Sequence, residues 1–281
     1  MTVETGRGPA ISYESFKTIA HSRDAANHAI AGLMGIAQDN YDDVATGRNA
    51  AFASEIKTLA GTYRTYIKVL ESVHEYYAPR LNVISEESGR VAAFVIYAKI
   101  IRLLNMALLC LESGYWESLI LLRPIDEAVH LAEYFALCGD DTRGATRLRA
   151  WFRENNSPRH SVLRRALSEE LERILGGPQI PPTLDLLNEL YDRKSKALHH
   201  TYNSIWETHR ASISGGVVAV DGFDYGPISN TRKLWEITSF FRSSIWTAVQ
   251  GFVHSFIKSL PLERSHIDIL MALDRQIGET S

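Results

Sequence analysis

The chain has 281 residues, of which 45% are hydrophobic and 22% charged, and its formal net charge is -3. This balance excludes a chain that is disordered throughout, and it gives no global attraction to nucleic acid or to an anionic membrane. Two cysteines, Cys110 and Cys138, are too few for a disulfide framework or a cysteine-based zinc site. Residues 1–10 lack the basic start and apolar run of a signal peptide, so we expect a cytoplasmic protein.

Apolar residues recur with helical spacing along most of the chain, and short turn-forming segments separate the periodic stretches. Residues 212–225 differ, because Gly-Gly is followed there by a β-branched run, which predicts a short β-hairpin insertion. The sequence therefore predicts an all-α bundle of about seven to nine helices with this one hairpin. The predicted helices cover residues 13–38, 44–77, 85–112, 115–138, 142–155, 157–175, 184–202, 228–260 and 262–277.

The most apolar stretch, Val91–Leu111, is long enough to be tested as a membrane helix. It contains Lys99, Arg102 and Asn105, and a lysine or arginine near the centre of a bilayer costs about 2.5 to 3.5 kcal/mol. We therefore expect a buried core helix with one polar edge, and no membrane partner.

Residues 184–202 combine an apolar stripe with many titratable groups. At about 100° per residue, one face is apolar and the opposite face is charged. Asp192, Ser195 and His199 lie on the flank of the apolar stripe, where a partly buried polar site is expected. His199 is the candidate general acid or base, and the alternative is a hydrogen-bonded boundary pair with Ser195. The apolar stripe is Leu184, Leu187, Tyr191, Leu198 and Ile205; the charged face is Glu189, Arg193, Lys196 and His200.

Arg123 and Glu127 stand four residues apart in an otherwise apolar predicted helix, and Pro124 is expected to kink that helix. A buried charge has to be paired or hydrogen-bonded. Either the two side chains form an ion pair that fixes packing, or Arg123 faces a pocket and binds phosphate or a developing anion.

Residues 143–165 carry the strongest charge asymmetry of the chain, with seven arginines and Glu154 as the only acid. The counter-charge is either internal, from Glu169, Glu170 and Glu172, or external, from an RNA backbone. Trp151 and Phe152 would then add stacking to the surface. The pattern gives no indication of DNA sequence readout. The candidate nucleic-acid contacts are Arg147, Arg149, Arg153, Arg164 and Arg165.

Common nucleotide-binding and metal-binding motifs are missing from the sequence, and we predict no cofactor and no metal. Glu71 with His74, and Glu127 with His130, do match the Glu-x-x-His spacing of di-iron helical bundles. Such a site also needs inward carboxylates from two partner helices, so this spacing leaves a metal-dependent oxidase as a distant alternative.

Two elements resemble a poorly characterised bacterial branch of the HEPN-related helical proteins. These are Leu122-Arg123-Pro-Ile-Asp-Glu127 and Tyr191-Asp-Arg-Lys-Ser195-Lys-Ala-Leu-His199. The resemblance covers about residues 92–205, and it implies one helical domain over 1–281 in which helices 13–77 and 228–277 pack around this part.

Many HEPN proteins are metal-independent ribonucleases of toxin or defence systems, with an Arg-x4–6-His motif near a dimer interface. The spacing from Arg193 to His199 complies with that motif, while Lys194 stands where the family commonly has a small polar residue. The resemblance implies a homodimer that binds and cleaves RNA, with His199, Arg193, Ser195, Arg123 and Glu127 as site residues. Other HEPN-like domains are non-catalytic, so an interaction or ligand-sensing module is the alternative function.

Overall fold

The computed structural model describes residues 21, 23–29, 31–32, 48–81, 87–113, 118–141, 144–175, 191–192, 194, 209–214, 217–223, 231–257, 260 and 262–278. The described helices pack together into a bundle, which confirms the predicted all-α class. The helices are α1 (Arg48–Tyr77), a 3-10 helix (Ala78–Arg80), α2 (Gly89–Glu112), α3 (Ser118–Cys138), α4 (Ala145–Glu154), α5 (His160–Leu175), α6 (Thr231–Phe256) and α7 (Arg264–Gly278). Residues 23–29, 191–192 and 194 are also helical.

Two short backbone segments, β1 (His209–Ser214) and β2 (Val217–Phe223), pair antiparallel with each other. The register places His209 opposite Phe223 and Ser214 opposite Val217, with an irregularity after Arg210. These segments overlap residues 212–225, where the sequence pattern changes from helical to alternating.

Helix α3 is the centre of the described bundle, because it packs against α2, α5 and α6. Its apolar residues recur every three or four positions, so one face is buried along the whole helix. Leu122, Ile125, Val129, Ala132 and Phe135 on that face are all fully buried. Pro124 lies inside the helix without ending it. The side chains of α3 are therefore well placed to connect the helices on either side.

Helix α2 is the only described helix that is long and apolar enough to cross a membrane, with a mean hydropathy of 1.9 in its most apolar stretch. A core helix of a water-soluble bundle meets the same criterion. Half of that stretch is buried inside the protein, against α1, α3 and α6.

Several observed helices begin a few residues after their predicted starts, and two of these starts show a defined hydrogen bond. Helix α2 begins at Gly89, four residues after the predicted start, because the Ser88 hydroxyl caps it by accepting from the Val91 amide at 3.3 Å. Helix α5 begins at His160, three residues after its predicted start, and the Arg159 carbonyl accepts from the Leu163 amide.

Two glycines allow the start of α2 to cross the end of α3 at close range. A Cβ atom at Gly89 would lie 2.1 Å from the carbonyl oxygen of Phe135, and one at Gly139 would lie 2.9 Å from the Gly89 Cα atom. Gly89 also donates its amide to the Asp140 carboxylate at 2.8 Å. The crossing therefore requires glycine, since backbone atoms cannot move aside as a side chain can.

We predict that Gly89→Ala lowers the free energy of unfolding by at least about 2 kcal/mol, because the added methyl group collides with the α3 backbone. Gly61→Ala is the matched control: it also lies in a helix, and its Cβ would meet nothing within 4 Å. That change is expected to be neutral or to stabilise by up to about 1 kcal/mol. Urea unfolding measures both, and equal midpoints for the two variants contradict the close crossing.

Candidate functional site

The structure pairs Arg123 with Glu127, as one of the two sequence interpretations requires. The Arg123 Nε donates to the Glu127 carboxylate at 2.9 Å, one turn further along α3. The hydroxyl of Tyr191 donates to the same carboxylate oxygen at 2.8 Å. Arg123 therefore closes onto its own helix and onto residue 191 rather than standing free at the wall of a pocket.

The ring of Tyr191 is the centre of a polar and aromatic cluster. The His160 ring stacks on it with centroids 4.6 Å apart, and the guanidinium carbons of Arg123 and Arg164 lie 5.3 and 5.5 Å from its centroid. A nitrogen-to-nitrogen contact of 2.8 Å joins His160 Nε2 to His130 Nδ1. We call this set the Tyr191 cluster; it consists of Arg123, Glu127, His130, His160, Arg164 and Tyr191.

Burial keeps both histidines of the Tyr191 cluster neutral near pH 7. Burial is the main cause that lowers the pKa of His160 to about 4, and the nearby His130 lowers it further, while Glu127 opposes the shift. Burial also lowers the pKa of His130. One imidazole therefore donates a proton in the 2.8 Å contact and the other accepts it. A histidine with a pKa this low is a weak general base, so His160 fits a packing role better than a proton-transfer role.

A buried ion pair lies next to the Tyr191 cluster. The Lys194 ammonium is 2.7 Å from the Asp126 carboxylate and 2.8 Å from the Ser244 hydroxyl, and that hydroxyl donates to the other carboxylate oxygen at 3.0 Å. Lys194 is only 1% exposed and Ser244 is fully buried. The three side chains, which we call the Lys194 triad, connect the residue 191–194 segment to α3 and α6.

The sequence pattern does not predict the Lys194 triad as a site. A signal was present, because Lys194 stands seven residues after Leu187 and four before Leu198, which places it on the apolar stripe. A lysine on a core-facing stripe needs a buried partner. Neither the sequence spacing nor composition indicates that the partner is Asp126, 68 residues earlier.

The remaining predicted catalytic residues lie outside the described residues: Arg193, Ser195 and His199. Asp192 is described, and its side chain is exposed rather than partly buried. The sequence predicts that Asp192 is partly buried on the flank of the apolar stripe. That prediction is wrong for this residue, because Lys194 and Tyr191, not Asp192, face the neighbouring helices.

The predicted nucleic-acid contacts fall on α4 and α5. Arg147, Arg149, Arg153 and Arg165 are exposed, and Arg153 pairs with Glu87 at 3.0 Å. Arg164 is only partly exposed, since it lies over the Tyr191 ring.

The aromatic residues of α4 face inward. Trp151 is partly buried and packs against Phe135 of the core, with ring centroids 5.5 Å apart. Phe152 is also partly buried and contacts Trp151 edge to face. Both rings help to pack α4 onto the bundle, and the expected stacking of RNA bases on them stays a prediction.

A cavity of about 480 Å³ lies where α3, α4 and α5 meet. Helix α3 contributes Tyr134 and Cys138 to its wall, α4 contributes Arg147, and α5 contributes residues between 161 and 170 that include Arg165. Two of the five predicted nucleic-acid arginines, Arg147 and Arg165, thus line a partly open cavity. Sequence analysis did not predict this cavity, because it arises from the packing angle of three helices.

The histidines with Glu-x-x-His spacing have other contacts in this structure. His74 is buried, with its Nε2 atom 2.9 Å from the Phe94 carbonyl oxygen, and His130 contacts His160. In the part of the chain that the structure describes, no group of three or more histidine, cysteine or acidic side chains is arranged to hold a metal ion.

Comparison of the chain with protein-family models, with characterised proteins and with solved structures finds no match.

We predict that acid destabilises the protein through the two histidines of the Tyr191 cluster. Their lowered pKa values mean that the unfolded chain takes up protons at higher pH than the folded chain does. The free energy of unfolding therefore falls as the pH decreases below about 6.5, at up to about 1.4 kcal/mol per pH unit for each histidine. For His160 this decrease continues to about pH 4.

Urea unfolding of wild type and His160→Gln between pH 7 and pH 4.5 measures this effect, and the variant is expected to show a shallower pH dependence. The matched control is His28→Gln, because that side chain is exposed and lies outside the Tyr191 cluster. Parallel curves for wild type and His160→Gln contradict a partly buried, neutral His160.

Proposed function

We propose that the chain is an RNA-binding helical protein that contacts the RNA backbone through the arginines of α4 and α5. The observation that supports this best is the exposure of Arg147, Arg149, Arg153 and Arg165 on two consecutive helices. Guanidinium groups bind phosphate through paired N–H donors, whatever the base sequence. The ion pair of Arg153 with Glu87 is compatible with this role, since exposed pairs are weak and a phosphate can replace the carboxylate.

The more specific proposal is a HEPN-like, metal-independent ribonuclease. A general base removes the proton of an RNA 2′-hydroxyl, the oxygen attacks the adjacent phosphorus, and a general acid protonates the departing 5′-oxygen. In this proposal His199 acts as the acid or base and Ser195 orients its imidazole. Arg193 stabilises the phosphorane-like charge, because Arg123 is already engaged by Glu127 and Tyr191.

A non-catalytic interaction or ligand-sensing module is the second candidate, and a specific observation favours it. Arg123, Glu127 and Tyr191 satisfy one another through contacts of 2.8 and 2.9 Å. Groups that are paired in this way stabilise a fold without any substrate.

The homodimer and the hairpin insertion belong to the same HEPN-like proposal. Val95, Met106 and Leu109 are 39%, 45% and 62% exposed on one face of α2, which supports a surface for a second copy. The paired segments β1 and β2 would be the insertion predicted at 212–225. Light scattering tests the dimer, and a monomer mass at every protein concentration contradicts it.

We predict that the double variant Arg149→Gln/Arg153→Gln binds a 5′-hydroxyl single-stranded oligoribonucleotide about tenfold more weakly than wild type. Loss of two phosphate contacts also lowers the slope of log affinity against log salt by about 1.4. Fluorescence anisotropy at several salt concentrations measures both quantities. The matched control is Arg264→Gln/Arg275→Gln, which removes two exposed cations from α7. Equal weakening by both double variants contradicts contact through α4, and no binding by wild type contradicts the proposed function.

We predict that wild type cleaves mixed RNA in the presence of EDTA and leaves 2′,3′-cyclic phosphate ends. His199→Ala is expected to abolish cleavage, whereas His200→Ala is expected to retain it, because His200 is assigned to the opposite helix face. Gel analysis of the products measures this. Absence of cleavage by wild type, or equal cleavage by the two variants, excludes the ribonuclease and leaves the non-catalytic module.

A further inference from the structure

The cavity between α3, α4 and α5 has a composition that contact with the RNA backbone does not explain. A backbone-binding surface needs exposed cations on a convex or grooved face. This cavity has a volume of about 480 Å³, which is in the range of small-ligand sites. Polar groups converge on it from three helices, and Val162 and Ala166 add an apolar wall.

Two arginines give the cavity its cationic character. Arg147 donates to the Tyr134 hydroxyl at 2.7 Å, so the guanidinium is held at the cavity wall by a neutral partner. Arg165 also lines the cavity, one helix away. Among the residues that the structure describes, no carboxylate forms an ion pair with Arg147 or Arg165.

The acidic side of the cavity is largely neutralised. Glu170 is buried, and both of its carboxylate oxygens accept from the Arg173 guanidinium. Glu169 is exposed at the cavity wall and remains as one negative charge. When Arg173 is counted with Glu170, two positive charges, Arg147 and Arg165, and one negative charge, Glu169, remain at the cavity wall.

This arrangement fits a phosphate group better than a carboxylate. A phosphomonoester carries a charge of about -1.5 to -2 near pH 7 and three terminal acceptor oxygens. These oxygens can accept hydrogen bonds from two guanidinium groups at the same time. The hydroxyls of Tyr134 and Ser161 also line the cavity and supply further donors. The cavity is partly open, and a terminal phosphate can turn three free oxygens towards its wall, whereas a phosphodiester inside an RNA chain has only two and has to continue in both directions.

We propose that the cavity between α3, α4 and α5 binds a phosphomonoester, with the phosphate between Arg147 and Arg165 and the organic part against Val162 and Ala166. The phosphomonoester belongs either to a small metabolite or to the 5′ end of an RNA strand. This site does not depend on the proposed RNA-binding function. Because Arg147 and Arg165 are also candidate RNA contacts, an occupied cavity lowers the affinity of the same face for internal RNA phosphates.

Calorimetric titration of the full chain with phenyl phosphate and with inorganic phosphate tests the site. Saturable binding is expected for wild type, with affinity reduced about tenfold or more in Arg147→Gln and in Arg165→Gln, since each removes charged hydrogen bonds. Arg149→Gln is the matched control, because it removes the same charge from an exposed position of α4 outside the cavity wall. Its affinity is expected to stay within about twofold of wild type.

Ser161→Phe keeps every charge but fills the cavity from an exposed position of α5, and it is expected to abolish phenyl phosphate binding. This variant keeps the test decisive if an arginine variant does not fold. No saturable binding by wild type, equal weakening in all three arginine variants, or unchanged binding in Ser161→Phe overturns the proposal.

The source of the phosphomonoester is identified by comparing oligoribonucleotides with a 5′-phosphate and with a 5′-hydroxyl. If the 5′-phosphate raises the affinity for the strand and Arg165→Gln removes that increase, the cavity is assigned to an RNA end. Equal affinity of the two strands, together with saturable phenyl phosphate binding, assigns it to a small metabolite. Both outcomes support the phosphomonoester site, and neither depends on whether RNA with a 5′-hydroxyl binds.

Discussion

The ammonium group of Lys194 lies in the core of a helical bundle, and this constrains how the surrounding helices pack. An unpaired charge in such a place costs several kcal/mol, so the lysine has to meet the Asp126 carboxylate and the Ser244 hydroxyl. Asp126 lies in α3 and Ser244 lies in α6, 118 residues further along the chain. Lys194 thus links these two helices through its ammonium group. The triad therefore holds the 191–194 segment against the core and fixes its position there.

The Tyr191 cluster follows from the same anchoring. Asp126 and Glu127 are adjacent in α3, and each binds one residue of the segment: Asp126 binds Lys194, and Glu127 binds Tyr191. With two attachments three residues apart, the Tyr191 ring is held against His160 and between Arg123 and Arg164. The cluster combines cations, neutral imidazoles and one carboxylate in a closed set of contacts. The cavity lined by Arg147 and Arg165 lies on a different face of α5 from the Tyr191 cluster.

Sequence periodicity predicted the helices well because each helix buries a continuous face, and burial repeats every three or four residues. Arg123 and Glu127 were also accessible to sequence reasoning, since a spacing of four residues within one helix brings side chains together. Lys194 was recognisable as a lysine on an apolar stripe, whereas its partner Asp126 was not. His130 and His160 meet only because α3 and α5 pack, and the inward orientation of Trp151 depends on the same packing. Contacts between helices of this kind leave no local pattern in the sequence.

A double-mutant cycle on Lys194 and Asp126 tests the central role of the buried triad most directly. The measured quantity is the free energy of unfolding of wild type, Lys194→Met, Asp126→Leu and the double variant. Each single change is expected to cost about 3 to 5 kcal/mol, because it leaves one buried charge without its partner. The double variant is expected to be more stable than either single variant, with a coupling energy of at least about 2 kcal/mol. Single changes that cost less than about 1 kcal/mol and add independently contradict the account.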